Sequence, residues 1–164
     1  LPRNFYNLGL LRHKTPKNLR VTYEISEKEA INNYGLLSEV KKSVQSNNHR
    51  IAIDDFGIGY ASMERILRME PDIIKLDRSL IENIHKDPSK KAFVEGLVKA
   101  SKTTQSIILA EGVEEFVELD VLRELKVELV QGFLLHKPQD AEAIRNDLGK
   151  LHADVKEKHL KTVA

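Results

Sequence analysis

Arg50-Ile51-Ala52-Ile53-Asp54-Asp55-Phe56-Gly57-Ile58-Gly59 is the stretch on which the fold of this chain turns. Arg50–Ile53 is a short run rich in β-branched residues, apolar at consecutive positions, which suits a strand buried on both faces. It ends on two adjacent acids, Asp54 and Asp55. The glycines beyond them let a mobile loop fold back over whatever the acids hold. The same unit repeats outward on both sides. Arg20–Ile25, Asp72–Leu76, Ser106–Leu109 and Val127–Val130 are further strand-like runs, and helix-like stretches separate them. That is the rhythm of βα units with parallel strands.

The intervening helices carry their own signals. In Glu27–Ser46, Ala30, Ile31, Leu36, Leu37, Val40 and Val44 recur at three- and four-residue steps. Ser26 is placed to cap that helix, with Glu29 as its capping-box partner. Met63–Met69 reads as a short helix stopped by Pro71. Ser89–Thr103 is expected to bury Ala92, Phe93, Leu97 and Ala100. Glu114–Lys126 and Asp140–His159 complete the set, and Asn4–His13 reads as a helix with no strand before it. The last residues, with Lys150, Lys156, Lys158 and Lys161, form a basic terminal helix or tail.

The 164 residues fit one domain and fall short of a complete (β/α)₈ barrel, which takes roughly 250. Lys plus Arg number 26 against 25 Asp plus Glu, so there is no basic excess of the kind a general DNA binder needs. The absence of cysteine excludes a disulfide framework, a thiolate zinc site and a thiol nucleophile. No apolar run approaches a membrane span, and no signal peptide opens the chain. Its start at Leu1 is that of a processed product or of a piece of a longer chain.

In parallel α/β folds, ligands sit at the carboxyl ends of the strands. Here those ends carry Glu24 and Glu27, Asp54 and Asp55, Lys75 and Asp77, Glu111 and Glu114, and Gln131. Helix capping alone accounts for an acid such as Glu27, Glu114 or Asp77. It does not account for the set, because converging carboxylates repel one another unless a cation neutralises them. Hard oxygen donors suit Mg²⁺ or Mn²⁺. Adjacent Asp54 and Asp55 suit a metal pair, the usual equipment for phosphodiester hydrolysis. Two other readings of the run fail. Asp55-Phe56-Gly57 occurs in protein kinases, but no glycine-rich loop, strand lysine or catalytic loop precedes it. Gly57-x-Gly59-x-x-Ser62 approaches a dinucleotide fingerprint, but its third glycine is Ser62 and two carboxylates would face a pyrophosphate.

Five segments in order resemble the motifs of EAL domains, the bacterial phosphodiesterases that linearise cyclic di-GMP. They are Tyr23-Glu24-Ile25-Ser26-Glu27, Ile51 to Tyr60, Ile74-Lys75-Leu76-Asp77-Arg78-Ser79, Leu109-Ala110-Glu111-Gly112-Val113-Glu114 and Gln131-Gly132-Phe133. The resemblance covers residues 1–150 as the C-terminal two-thirds of such a domain, with 151–164 as the basic tail. It implies an α/β fold of about five βα units, a partial TIM-like barrel. It implies metal-dependent hydrolysis of cyclic di-GMP to linear pGpG with Mg²⁺ or Mn²⁺. Glu24, Asp54 and Asp55 are then metal ligands, with Asp54 bridging. Lys75, Glu111 and Gln131 are catalytic, and Glu27 steadies the loop from Phe56 to Ser62. Which residues bind the guanine bases is unassigned.

The departures matter as well. The Glu-x-Leu segment that names the family is absent, and of the asparagines upstream of Glu24 (Asn4, Asn7, Asn18) none follows a β-like run. Ile58 and Ala61 stand where the family usually has Thr and Ser. The alternative is therefore a catalytically degenerate domain that binds the nucleotide or a protein. On either reading the expected setting is the bacterial cytoplasm, with any membrane attachment supplied by regions outside this chain. An open sheet edge is expected to make the protein a dimer, and the chain alone is expected to turn over slowly.

Overall fold

The computed structural model describes residues 19–32, 34–57 and 68–145. The elements are β1 (Thr22–Ser26), α1 (Glu27–Asn32), α2 (Tyr34–Gln45), β2 (Arg50–Phe56), β3 (Ile73–Leu76), α3 (Arg78–Ile81), a 3-10 turn (Ile84–Lys86), α4 (Pro88–Thr104), β4 (Ile107–Ala110), α5 (Phe116–Glu124) and β5 (Leu129–Val130). Residues 141–145 are helical, and the remainder of the expected Asp140–His159 helix lies outside the described residues. So do the Asn4–His13 helix, most of Met63–Met69, the loop at Ile58 and Ala61, and the basic tail.

The five strands form one sheet in the order β1-β2-β3-β4-β5, and every pair is parallel. Sequential order is informative. Right-handed crossovers that never reverse direction put every helix on the same side of the sheet. A doubly wound sheet reverses its order and is covered on both sides. The sheet is therefore barrel-like, with one face toward the helices and the other toward an interior.

Alternation along the strands assigns the two faces. Ile25, Ile51, Ile53, Ile74, Leu76, Ile108 and Ala110 join the core beneath the helices. Their neighbours Glu24, Ala52, Ile73, Lys75 and Leu109 fall on the interior face. Each large core side chain contributes about 1.5–3 kcal/mol on burial. The fully buried Ile51, Ile53, Ile74, Leu76 and Ile108 thus fix the strands that carry the acids.

Local signals start and stop the elements. Glu29 N–H donates to Ser26 Oγ at 3.4 Å, which opens α1. Asp87 accepts from the N–H groups of Ser89 and Lys90, and Pro88 takes the first helical position of α4. Gln105 and Lys126 follow α4 and α5 in the left-handed region, at φ 59° and 62°, and turn the chain back toward the next strand.

One expected face needs correction. α4 buries Leu97, as expected, together with Val94, Val98 and Ser101, whereas Ala92 and Phe93 are exposed and Ala100 is half-buried. Both stripes have helical spacing. The helix packs against β4 and the 3-10 turn, and Phe93 is stacked on Phe56 at 6.3 Å between centroids.

Candidate metal centre

Adjacent residues of a regular strand point to opposite faces, so Asp54 and Asp55 could not serve one site from a flat β2. The sheet solves this with a bulge. Ile53 pairs with Ile74 and Phe56 with Leu76, so β2 has one residue more than β3 over the interval. Asp55 takes up the extra residue at φ 56°, in the left-handed region that Asp and Asn tolerate better than most. Its N–H donates to Asp54 Oδ1 at 3.1 Å. Phe56 returns to the core, and carboxylate oxygens of Asp54, Asp55 and Glu111 lie within 4.8 Å of one another.

Lys75 stands among these acids on the central strand. Its Nζ lies 2.8 Å from Asp54 Oδ1, 3.0 Å from Glu111 Oε1 and 3.0 Å from Glu24 Oε2. Burial alone would lower the Lys75 pKa. Hydrogen bonds to Asp54, Glu111 and Glu24 outweigh that and push it above the ordinary lysine value. Burial pushes the Glu111 carboxyl up, and repulsion from Asp54 and Glu24 adds to this against the hydrogen bond from Lys75. Three carboxylates, Glu24, Asp54 and Glu111, thus share one ammonium, and a hard divalent cation fits the oxygen donors of Asp54, Asp55 and Glu111.

Glu27 lies just behind, 5% exposed, and accepts the Gly57 N–H at 3.1 Å where the chain leaves β2. Gln131 follows β5. Its N–H donates to Ala110 O at 2.8 Å and its carbonyl accepts from Val113 N–H at 3.1 Å, which places it beside Glu111 at an exposed position. Gly132 packs on the Val113 backbone so closely that a Cβ would collide with it. Asp77 caps α3 by accepting the Ser79 N–H at 2.8 Å. Glu114 is paired with Arg78, whose guanidinium donates to it through two nitrogens at 2.5 and 2.9 Å.

Two features escape a reading of the sequence. The Arg78–Glu114 fork joins the exits of β3 and β4, and no periodicity announces it. Glu118, 4% exposed, accepts backbone N–H groups from Asn83, Glu114 and Glu115 at 3.0, 3.1 and 3.2 Å. Its only sequence signal is the capping-box spacing Glu115-x-x-Glu118, with Glu where Ser or Thr is usual.

The family model "EAL domain" matches residues 5–138. Among curated relatives, cyclic di-GMP phosphodiesterase PdeR of Escherichia coli is 32% identical over 123 residues, 75% of this chain and 19% of PdeR. The blue light- and temperature-regulated antirepressor BluF of E. coli is 30% identical over 118 residues, 72% of this chain and 29% of BluF. Among solved structures, the manganese and cyclic di-GMP complex of Klebsiella pneumoniae BlrP1 superposes with a TM-score of 0.71 at 31% identity, covering 84% of this chain and 36% of that one. The chain therefore spans less than a third of the length of these two curated relatives.

Proposed function

The chain belongs to the EAL domain family, and from that premise we propose that it forms part of a phosphodiesterase that hydrolyses cyclic di-GMP to linear pGpG. The observation that carries the reading is the β2 bulge. It spends a left-handed, non-glycine residue and the repulsion of neighbouring acids to bring Asp54, Asp55 and Glu111 together. A fold without use for a cation has no reason to keep that arrangement.

Glu24, Asp54 and Asp55 would hold the metal ions, Mg²⁺ or Mn²⁺. Such ions, when bound, activate water and neutralise phosphate charge. Lys75, on the central strand beside Asp54, supplies a positive charge to the phosphate oxygens as charge develops on them. Glu111 would orient the second metal's water, and Gln131 would border it at the rim. Glu27 fixes the backbone at Gly57 and with it the root of the loop beyond β2.

On this reading residues 1–150 are the EAL portion, with 151–164 a basic appendage. The partner is the dinucleotide rather than DNA, and the compartment is the bacterial cytoplasm. No described helix is long and apolar enough to cross a membrane. Among the described residues, β1 and β5 are the sheet edges, and the protein would dimerise through such an edge or its surface helices. A clean monomer by light scattering at high concentration counts against the dimer.

A second reading has its own support. The relative BluF is an antirepressor, so a binding module without hydrolysis is the alternative. Chromatography of cyclic di-GMP incubated with the full-length protein and Mn²⁺ separates the two. Linear product supports the enzyme. Retained nucleotide without product supports the binding module.

A further inference from the structure

Lys75 makes an arrangement that its assigned part in phosphodiester chemistry does not require. An ammonium has three N–H donors. Asp54, Glu111 and Glu24, from three different strand ends, lie within 3.0 Å of Nζ and take all three. The side chain is only 9% exposed, so water does not substitute for these partners. Its stem rises from the middle of the sheet, between the strands that carry Asp54 and Glu111.

We propose that Lys75 is a built-in competitor of the divalent cation. Its ammonium neutralises and gathers Glu24, Asp54 and Glu111. A divalent ion binds by taking at least the Asp54 oxygen from it. Lys75 therefore sets metal affinity below what the acids alone would give and makes occupancy respond to the concentration of free metal. The inference rests on the reading of Asp54 as a metal ligand and extends it, because it assigns Lys75 a role before any substrate arrives. The physical basis is twofold. The lone pairs that Lys75 uses are withdrawn from the metal, and a cation held next to the metal repels it. Removing the ammonium also leaves the acids mutually repelling, which raises the free energy of the metal-free state alone.

The test is Mn²⁺ calorimetry and thermal unfolding of the protein beside Lys75→Met, which keeps an apolar stem and removes the charge. The variant is expected to bind Mn²⁺ at least tenfold more tightly. It should melt lower than wild type without metal, and gain more in Tm on Mn²⁺ addition. Lys75→Arg, which keeps the charge, is expected to show no tightening. Should Lys75→Met fail to fold even with Mn²⁺, Lys75→Gln carries the same expectation, since it is neutral yet retains N–H donors. Equal or weaker Mn²⁺ binding by a folded neutral variant overturns the competition and leaves the phosphodiesterase reading standing. Tighter binding by the variant, with no hydrolysis by the wild-type protein, upholds the competition and overturns the phosphodiesterase. Absence of Mn²⁺ binding from every form overturns both.

Discussion

Asp55→Asn separates what the bulge costs from what it provides. Asn tolerates the left-handed backbone about as well as Asp, so the exchange at φ 56° leaves the bulge intact and removes one charge. Two unit charges at the 4.8 Å that bounds the Asp54, Asp55 and Glu111 oxygens repel by about 0.9 kcal/mol in water. Asp55 is exposed, so the water value applies and salt screens it further. Two such repulsions, partly screened by salt and partly offset by attraction to the neighbouring Lys75 ammonium, total at most about 1 kcal/mol. The metal-free variant should therefore be more stable than wild type by up to that amount, a rise of at most roughly 2–4 °C in Tm for a domain of this size. With Mn²⁺ the order should reverse. A ligand at a hundred times its Kd stabilises by about 2.7 kcal/mol. Loss of one charged oxygen ligand, taken as a hundredfold in affinity, removes nearly all of that. Differential scanning fluorimetry with EDTA and with Mn²⁺ gives both numbers on one plate. A variant that melts lower in EDTA, or gains as much from Mn²⁺ as wild type, refutes the reasoning.

Three further outcomes follow from particular contacts. Glu118→Leu strips three backbone N–H groups of their acceptor and should cost about 3 kcal/mol or more by denaturant unfolding, with accelerated amide exchange at Asn83, Glu114 and Glu115. Gly132→Ala should cost about 1–3 kcal/mol, because its Cβ forces the exits of β4 and β5 apart at Val113; unchanged unfolding would contradict the close approach. Glu27→Ala should cost about 1–3 kcal/mol by removing a charged acceptor from the Gly57 N–H, and should speed exchange of that amide.

The sheet was legible because fully buried parallel strands leave continuous apolar runs, as in Arg50–Ile53 and Asp72–Leu76. Strand boundaries shifted by one to three residues where the apolar run and the ladder part company. β2 extends to Phe56 because the bulge returns that ring to the core, and β5 shortens to Leu129–Val130. The acids at the strand ends were legible as a set, because four of the five units end in acids. How they meet was not. The left-handed turn at Asp55, the position of Lys75 among three carboxylates and the Arg78–Glu114 fork all depend on neighbouring strands, far away in sequence. The misplaced face of α4 shows the same limit. Two overlapping helical stripes were available, and packing against β4 and the 3-10 turn, rather than spacing, selected Val94, Leu97, Val98 and Ser101.

The most direct measurement of the metal centre is Mn²⁺ calorimetry on the full-length protein beside Asp54→Ala. Asp54 pairs with Lys75, neighbours Asp55 and lies in the group with Glu111, so it belongs both to the ion-pair cluster and to the candidate metal ligands. Wild type is expected to bind Mn²⁺ saturably, and a folded Asp54→Ala not at all. Unchanged affinity in the variant would contradict it and reduce Asp54 to an ion-pair partner of Lys75.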